Sequence, residues 1–393
     1  MKVLVLHNAY QKYGGEDTVV HMETRLLADH GNLVGLHIVS NDCISGYWGK
    51  LIASLGVVFS ITGYRTVRKL IRETQPDVVH VHNFFPLLSP SVFYACQAEG
   101  VPVLLTLHNY RVVCPTALLM HDGKMTERSL REGPWWAFRH KVYRDSLAGT
   151  FLLCLMIWLH RRLGTWHKQV DRFIVLSEFG RKKFIEGNIP ADRLILKPNF
   201  VDMPLLPVVH RSGLLFVGRL SPEKGINVLL KATKSSGHNP SFLHKAVRLV
   251  GDGPLASQVK QSGLHHLGIL DSADVRNQMQ LAIALLIPSI CPEAFGMVLV
   301  EAYANGLPVI ASRIGALAEL VEDGVTGLLF EPGNADDLAA KMGWAIEHPD
   351  EMRRMGDAAR ARYEALYTPE RNYEQLMLIY RDAIFSNASK RQK

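Results

Sequence analysis

Short apolar runs alternate with helix-like stretches along the whole chain. Most of these runs are rich in β-branched residues without polar alternation, which is typical of strands buried on both faces of a parallel sheet. The segments between them have the spacing of amphipathic helices, as at about Glu16–His30. The predicted strands are Val3–Leu6, Leu33–Ser40, Asp77–Val81, Val103–Leu107, Val170–Leu176, Leu194–Lys197, Leu214–Val217, Val247–Val250, Ile283–Ile287, Val309–Ala311 and Gly327–Phe330.

The series of predicted strands is interrupted once. The segment Val201–Ser212 contains two prolines and has no hydrophobic period, and the alternation restarts at Leu214. A chain of 393 residues is also too long for one domain, at about 150 residues per domain. The pattern therefore predicts an α/β protein with two Rossmann-like parallel-sheet domains, at residues 1–201 and 202–369.

Composition and charge narrow the class of protein. Hydrophobic residues make up 48% and charged residues 21%, which is typical of a globular protein and excludes disordered, coiled-coil and fibrous chains. The five cysteines include no C-x-x-C pair, so neither a disulfide framework nor a zinc knuckle is predicted. The net charge of +7 arises within residues 1–205, and residues 124–197 alone carry 15 basic and 7 acidic side chains. Such a segment is either a solvated basic face or a surface that attracts phosphate groups.

The most apolar run is LAGTFLLCLMIWL, residues 147–159, with basic residues on both sides. Its thirteen residues would span about 20 Å as a helix, which is shorter than the ~30 Å hydrocarbon core of a membrane. We expect either a buried core helix or a helix that lies in the interface of an anionic membrane. The chain begins MKVLVLHNAY, with too few apolar residues before His7 for a secretory signal, so we expect a cytoplasmic protein.

Candidate chemistry is densest after the predicted strand Ile283–Ile287. A helix is expected to begin near Gly296, with Glu293 in the loop before it and Glu301 in its second turn. Eight helical residues span about 12 Å, whereas the paired carboxylates of glycosidases lie roughly 5–10 Å apart. A nucleotide sugar fits this spacing, because it has hydroxyls at both ends and a phosphate for the helix N-terminus between them. Two ordinary surface acids are the alternative explanation.

Other candidates follow predicted strands, at the edge where open α/β sheets bind ligands. Arg219 and Lys224, in GRLSPEKG, can grip a diphosphate, although exposed salt-bridge partners would have the same spacing. His108 ends another strand, where a structural histidine and a ligand contact are equally expected. The pair Gly14-Gly15 after the first strand allows close approach of a phosphate. The sequence contains no metal-binding motif, so we predict no metal and no permanently bound cofactor.

Several of these segments resemble a known family. PSICPEAFGMVLVEAYANGLPVIAS, Pro288–Ser312, is similar to the E-x(7)-E region of family 4 of the retaining glycosyltransferases, with Glu293 and Glu301 as its two acids. GRLSPEKG is similar to the family's donor-phosphate motif, and KPNFVD, Lys197–Asp202, to its interdomain junction. Three other segments resemble a bacterial exopolysaccharide subgroup of this family: YGGED near the start, TLHNYRVVCP (Thr106–Pro115) and MHDGK (Met120–Lys124).

The resemblance implies the GT-B fold, in which two Rossmann-like domains face each other across a cleft. The first domain would bind the acceptor and the second the nucleotide-sugar donor. A final helix, here about residues 370–385, would pack back on the first domain. The transfer would retain the anomeric configuration and need no metal ion.

The resemblance also implies roles for individual residues. Arg219 and Lys224 would neutralise the departing diphosphate, on which charge grows in the transition state. Glu293 would bind the 3- and 4-hydroxyls of the donor sugar, and Glu301 the ribose hydroxyls. His108 would contact the sugar's 6-hydroxyl or the acceptor, so the predicted catalytic residues are His108, Arg219, Lys224 and Glu293. The donor would also be contacted by Gly15, Phe295, Gly296, Met297 and Val298, and the acceptor by Gly14, Glu16, Asn109 and Arg111.

Two positions depart from the family pattern. Residues Met125–Arg131 lack the cysteine pair that many relatives of the subgroup carry after D-G-K. Ala294 stands where glycine is usual, and its methyl group would narrow the donor pocket. Neither change removes a proposed catalytic group.

We therefore predict a retaining glycosyltransferase that moves a sugar from a UDP- or GDP-sugar to a growing glycan. The basic and apolar segment 124–197 favours a polyprenyl-diphosphate-linked acceptor, in cell-surface or exopolysaccharide synthesis, and peripheral contact with the inner face of an anionic plasma membrane. A nucleotide-sugar epimerase or a glycogen-synthase-like polymerase of the same fold is the main alternative. A nucleic-acid-binding module, prompted by the net charge of +7, leaves Glu293 and Glu301 without a role, so no nucleic-acid partner is predicted.

Overall fold

The computed structural model describes residues 1–9, 14–40, 56–204, 210–234 and 240–391. Contacts between residues divide the chain into two compact units. The N-terminal unit comprises Met1–His121, Thr126–Asn199 and Pro369–Lys393, and the C-terminal unit comprises Asp122–Met125 and Phe200–Thr368. The N-terminal unit is therefore assembled from segments that are far apart in the sequence.

The strands up to residue 199 are β1 (Lys2–Ala9), β2 (Leu33–Ser40), β3 (Val78–Asn83), β4 (Val103–Thr106), β5 (Met120–His121), β6 (Lys124–Met125), β7 (Arg172–Val175) and β8 (Leu194–Leu196). Six of them form a parallel sheet in the order β2-β1-β3-β4-β7-β8. In the middle of this sheet, Leu4 of β1 lies opposite Gly35 of β2 and Val79 of β3. β3 and β4 are buried along their whole length, which is typical of central parallel strands, although β3 carries His80, His82 and Asn83.

The helices up to residue 199 are α1 (Gly15–Asp29), α2 (Ile61–Thr74), α3 (Ser91–Glu99), α4 (Arg128–Arg131), α5 (Trp136–Arg139), α6 (Leu147–Arg162), α7 (Thr165–Lys168) and α8 (Glu178–Glu186). Three of them begin at a serine whose hydroxyl accepts a hydrogen bond from an amide three residues later. These N-caps are Ser60, Ser146 and Ser177. Each serine satisfies one of the amides that a helix start leaves unpaired, which stabilises the helix by about 1 kcal/mol.

The most apolar run of the sequence lies in α6. Leu153 and Met156 are buried, whereas Phe151 and Trp158 are 42% and 43% exposed. Trp135 packs against both exposed rings, at 5.8 and 6.3 Å between centroids. In the described part of the chain, no helix is long and apolar enough to cross a membrane. The helix has a buried side, as expected of a core helix, and an exposed aromatic side, and its contact with a membrane stays a prediction.

The C-terminal unit repeats the architecture of a parallel sheet. Its strands are β9 (Leu214–Val217), β10 (Val247–Val250), β11 (His265–His266), β12 (Ala284–Ile287), β13 (Val309–Ser312) and β14 (Gly327–Phe330), in the order β11-β10-β9-β12-β13-β14. Its helices are α9 (Ile226–Ala232), α10 (Pro240–Ala246), α11 (Ala256–Ser262), α12 (Ser272–Leu281), α13 (Met297–Ala304), α14 (Leu317–Leu320), α15 (Ala335–Glu347) and α16 (Pro349–Leu366). The core includes Phe216, Leu249, Leu286, Ile310 and Phe330, one from each of five strands.

Helix α17 (Pro369–Arg391) belongs to the N-terminal unit and contacts α1 and β3. The hydroxyl of Tyr380 lies 2.8 Å from Nδ1 of His80. The ring of Tyr373 stacks on that of His30, with 3.9 Å between centroids. The helix extends beyond the predicted residues 370–385 at both ends.

Candidate functional site

Two loops of the C-terminal unit meet after β9 and β12. The first carries GRLSPEKG, and the second is the segment 288–296. The amide of Ile290 donates a 3.0 Å hydrogen bond to the carbonyl of Glu223 and joins the two loops. Gly225, at φ +75°, allows this approach, because a Cβ atom there would lie 1.7 Å from the Pro288 carbonyl oxygen. The glycine therefore allows the first loop, with the side chain before it, to pack against the second loop.

That side chain, Lys224, forms an ion pair with Glu293 of the second loop. Nζ of Lys224 lies 2.8 Å from Oε1 of Glu293, and the hydroxyl of Ser289 donates to the same oxygen. Burial alone would lower the pKa of Lys224, but the Glu293 carboxylate outweighs this effect and raises it. Because the lysine is charged and 33% exposed, it offers an anionic ligand a fixed positive charge.

Helix α13 begins directly after the second loop. Its N-cap, Gly296, has φ +150°, a conformation that other residues rarely adopt. The amides of Met297 and Val298 are in the first turn, where a helix offers no internal acceptor, so they can bind an anion. Phe295 is buried just before them and packs edge-on against Tyr367, with 6.1 Å between ring centroids. The helix start predicted from the sequence is confirmed.

Glu301 lies in the second turn of α13, with a partly exposed side chain. Burial raises the pKa of its carboxyl group to about 7. Among the residues that the structure describes, this carboxyl group has no hydrogen-bond or ion-pair partner. An acid in such surroundings gains free energy when a ligand hydroxyl donates to it, which makes it a candidate binding group.

Arg219 is the remaining candidate of this unit. It follows Gly218 at the end of β9, and its side chain is exposed. No partner for its guanidinium group lies within the described ranges. The C-terminal unit thus brings Lys224 and Glu293 into contact and places Glu301 on the helix that follows Glu293.

In the N-terminal unit, α1 begins after Gly14. Asp17 closes this helix end, because its Oδ2 accepts from the Gly14 amide at 2.8 Å and its Oδ1 accepts from Nε2 of His7 at 2.9 Å. Gly14 and Gly15 are exposed. Tyr13, the first residue of the YGGED motif, lies outside the described residues.

Glu16 brings three of the predicted acceptor-side residues together. Its carboxyl group hydrogen-bonds to Asn109 and lies within the field of Arg111. Burial and the neighbouring Asp17 carboxylate raise the pKa of Glu16 to about 8, against the opposite effect of Arg111 and Asn109. The guanidinium of Arg111 lies over the ring of Phe85, 4.7 Å from its centroid. The result is a polar cluster in which an acid holds its proton at neutral pH.

His108 follows β4 and is partly exposed. Its Nε2 lies 3.0 Å from Nδ1 of His82 in β3, and the two rings stack with centroids 5.3 Å apart. Burial lowers the pKa of His108 to about 3. The ring is therefore neutral at physiological pH and can act as a hydrogen-bonding group.

A buried polar cluster behind His108 was not predicted from the sequence. Glu23 on α1 pairs with Lys197 after β8, with 2.6 Å between Oε1 and Nζ. The other carboxylate oxygen of Glu23 lies 3.4 Å from Nε2 of His82. In the sequence, only the histidines of VVHVHN and the lysine of KPNFVD could have indicated this cluster. The pattern of apolar residues does not distinguish them from the polar residues found at ordinary strand ends.

Part of this cluster has the composition of a metal site. The side chains of Glu23, His80 and His82 offer ligand atoms within 4.8 Å of one another. However, both ring nitrogens of His80 are hydrogen-bonded, one of them to Tyr380, and the ammonium group of Lys197 lies against Glu23. These residues fit an internal ion pair and not a cation site.

Both halves of the chain match known protein families. Residues 14–204 match Glycosyltransferase Family 4, and residues 210–362 match Glycosyl transferases group 1. A D-rhamnosyltransferase of Pseudomonas aeruginosa is 33% identical over 328 residues, which cover 81% of this chain and 75% of that protein. The chain belongs to this family of glycosyltransferases. A phosphatidyl-myo-inositol mannosyltransferase of Mycolicibacterium smegmatis is 29% identical to this chain over 317 residues, which cover 77% of this chain and 70% of that protein.

Solved structures show the fold of the glycosyltransferase. Anabaena HepE in complex with UDP-glucose matches with a TM-score of 0.64 and 19% identity, covering 99% of this chain and 100% of that one. Sucrose-phosphate synthase from Thermosynechococcus elongatus matches with a TM-score of 0.69 and 19% identity, covering 97% and 98%. Together with the two parallel sheets, these matches confirm the predicted α/β, GT-B fold.

Proposed function

We propose that the glycosyltransferase transfers a sugar from a UDP- or GDP-sugar to a growing glycan, with retention of the anomeric configuration and without a metal ion. The observation that carries this proposal is the Lys224–Glu293 pair at the start of α13, followed on the same helix by the unpaired Glu301. The names of the relatives add support, because they are rhamnosyl and mannosyl transferases and HepE is described with UDP-glucose.

The diphosphate of the donor requires positive charge. Lys224 and Arg219 supply it, and the amides of Met297 and Val298 add the dipole of a helix start. Negative charge grows on the leaving oxygen as the bond to the sugar breaks, so these groups bind the transition state more tightly than the ground state. Their fixed positions reduce the reorganisation needed at that moment.

The two glutamates hold the hydroxyls at the two ends of the donor. Lys224 and Ser289 both contact Oε1 of Glu293, which leaves Oε2 for the 3- and 4-hydroxyls of the sugar. Glu301 accepts from the ribose hydroxyls, and this bond favours its ionised form. Ala294, next to Glu293, adds a methyl group that selects among donor sugars.

The N-terminal unit supplies the contacts to the reacting end and the acceptor. His108, as a neutral ring, hydrogen-bonds to the donor's 6-hydroxyl or to the acceptor. Gly15 offers its amide to the diphosphate. The polar cluster of Glu16, Asn109 and Arg111, with Gly14 beside it, binds the acceptor.

Nucleotide binding and product analysis test the proposal. UDP, GDP and their sugar conjugates are added to the wild type, Glu301→Ala, and the exposed control Glu347→Ala. A ligand at a hundred times its Kd stabilises the folded protein by about 2.7 kcal/mol. We expect this stabilisation from one of the nucleotides with the wild type and with Glu347→Ala, and not with Glu301→Ala. Incubation with a labelled donor and chelator should then give a product with the donor's anomeric configuration. Free epimerised sugar nucleotide, or an inverted product, would reject the proposed reaction.

We further propose a lipid-linked acceptor and contact of the N-terminal unit with an anionic membrane. The exposed rings of Trp135, Phe151 and Trp158 lie within the segment 124–197, which carries 15 basic and 7 acidic side chains. Aromatic and basic side chains on one surface are typical of proteins that bind the membrane interface. The mannosyltransferase relative is named for an inositol phospholipid, which supports an acceptor at a membrane.

Sedimentation with vesicles tests this membrane contact. The wild type should bind vesicles that contain phosphatidylglycerol and not vesicles of phosphatidylcholine alone. Replacing Phe151 and Trp158 by serine should release the protein, whereas Leu378→Ser, at an even more exposed position of α17, should not. Equal binding by all three proteins would contradict the assignment of this surface.

A further inference from the structure

We propose that Lys197, Glu23 and His82 form a positioning relay that fixes the tautomer of His108. The relay holds the proton of His108 on Nε2 and leaves Nδ1 as a hydrogen-bond acceptor for a hydroxyl of the donor sugar or the acceptor. The inference deepens the proposed function, because that function takes His108 as a ligand contact. It assigns a functional role to these three buried side chains, in addition to the ion pair between Lys197 and Glu23.

The first link is the buried ion pair. Nζ of Lys197 lies 2.6 Å from Oε1 of Glu23, and the two side chains are 1% and 3% exposed. Burial alone would raise the pKa of Glu23, but the charge of Lys197 and its hydrogen bond to the carboxylate outweigh this effect, and the pKa is lowered. Glu23 is therefore ionised, and an ionised carboxylate only accepts hydrogen bonds.

The second link is His82, which lies between the ion pair and His108. Its Nε2 lies 3.4 Å from Oε2 of Glu23. Burial holds the pKa of His82 well below its usual range, so the ring is neutral and carries one proton. Nε2 of His82 and Oε2 of Glu23 form no hydrogen bond, but the negative charge of the carboxylate at this distance favours the tautomer with the proton on Nε2, and Nδ1 of His82 is then an acceptor.

The third link follows from the contact between the two histidines. Nδ1 of His82 and Nε2 of His108 are 3.0 Å apart, so one nitrogen must donate to the other. Since Nδ1 of His82 accepts, Nε2 of His108 carries the proton. The neutral ring of His108 then has a lone pair on Nδ1, and this nitrogen has no partner within the part of the chain that the structure describes.

The other titratable groups around the two rings are already engaged. Both nitrogens of His80, next to His82 in β3, are hydrogen-bonded to hydroxyl groups. His7 of β1 is paired through Nε2 with Asp17 of α1. Neither of these histidines competes for the proton between His82 and His108, so the direction of that hydrogen bond is set by Glu23.

Nitrogen NMR on the wild-type protein tests the relay directly. The full chain is labelled with ¹⁵N-histidine, and long-range ¹H–¹⁵N spectra report which ring nitrogen carries each proton. We expect the shared proton to be covalently bound to Nε2 of His108, with a scalar coupling through the hydrogen bond to Nδ1 of His82. A proton bound to Nδ1 of His82 would overturn the proposal. This measurement requires neither a variant nor an activity assay.

The Glu23→Gln variant tests the direction of the relay. Lys197 requires an oxygen, so the glutamine oxygen should stay at Nζ and its amide group should face Nε2 of His82. The relay should then reverse, with the shared proton on His82 and the other ring proton on Nδ1 of His108. A wild-type tautomer in Glu23→Gln would overturn the proposal.

Turnover then links the tautomer to the proposed function. We expect kcat/KM of Glu23→Gln to fall on the order of ten-fold, because Nδ1 of His108 no longer accepts, while UDP binding is unchanged. His82→Asn, whose amide oxygen can accept from Nε2 of His108, should retain more turnover than His82→Leu. A reversed tautomer with unchanged turnover would leave the relay standing and remove His108 from the proposed function.

Discussion

Glu301 gives a prediction in which stability and binding change in opposite directions. Burial raises the pKa of this carboxyl group from 4.5 to about 7 in the folded protein. Below pH 4.5 the group is protonated in both the folded and the unfolded chain, and it then makes no difference to stability. As the pH rises towards 7, the unfolded chain ionises first, so the folded state loses stability. At 1.36 kcal/mol per pH unit, the loss is at most about 3 kcal/mol.

Replacing Glu301 by glutamine removes this ionisation. Urea unfolding at pH 5 and pH 9 should show the variant close to the wild type at the lower pH and more stable, by up to about 3 kcal/mol, at the higher pH. Glu347→Gln, at an exposed position of α15, serves as the matched control and should show no such difference. If Glu301→Gln differed from the wild type by the same amount at both pH values, the raised pKa would be refuted.

The same variant should bind the nucleotide more weakly. A ribose hydroxyl donates best to the ionised carboxylate, so wild-type affinity should rise as the pH increases through 7. Loss of a hydrogen bond to a charged group costs about 1.5–3 kcal/mol, or roughly 10- to 100-fold in Kd. Calorimetric titration with UDP or GDP measures both effects, and equal affinity of variant and wild type would disprove the ribose contact.

Three further predictions concern charge, backbone and packing. Lys224→Met should lower kcat on the order of 10²- to 10³-fold in a donor-turnover assay, whereas the exposed Lys231→Met should not; equal rates would exclude Lys224 from leaving-group stabilisation. Gly225→Ala should lower the urea midpoint far more than Gly324→Ala, since both glycines have positive φ but only the first has a backbone oxygen 1.7 Å from the added Cβ. Tyr380→Phe should lower the free energy of unfolding by about 1 kcal/mol and leave nucleotide affinity unchanged, and a change in affinity would contradict a purely structural role of this hydroxyl.

The strands of the C-terminal unit follow the sequence closely, except the short edge strand β11, which was not predicted. Leu214–Val217, Val247–Val250 and Gly327–Phe330 have the predicted bounds, because each is a short apolar run of the kind that forms a buried parallel strand. Strand ends were less accurate where a charged side chain has a tertiary role. Asp77 lies before β3 and accepts from the Lys2 amide at 2.7 Å, and Lys197 lies after β8 and turns inward to Glu23.

The candidate residues could be predicted, but their partners could not. The resemblance implied roles for Lys224 and Glu293 separately, whereas their ion pair joins positions 69 residues apart. Lys197 and Glu23 are 174 residues apart in the sequence. Neither the local hydrophobic period nor residue propensities indicate these two ion pairs, because each forms only when distant segments of the chain pack together.

The place of α17 in the sequence has a consequence for synthesis on the ribosome. The long segment Phe200–Thr368 of the C-terminal unit is complete before α17 is made, although the N-terminal unit was begun first. Until α17 is made, His80 lacks its hydrogen bond to the hydroxyl of Tyr380. The surface of the N-terminal unit that buries α17 residues such as Leu376 is then uncovered. About 170 residues separate Asn199 from Pro369, which is roughly 10–30 s of translation. The half of the molecule that is translated first is therefore the half that finishes folding last.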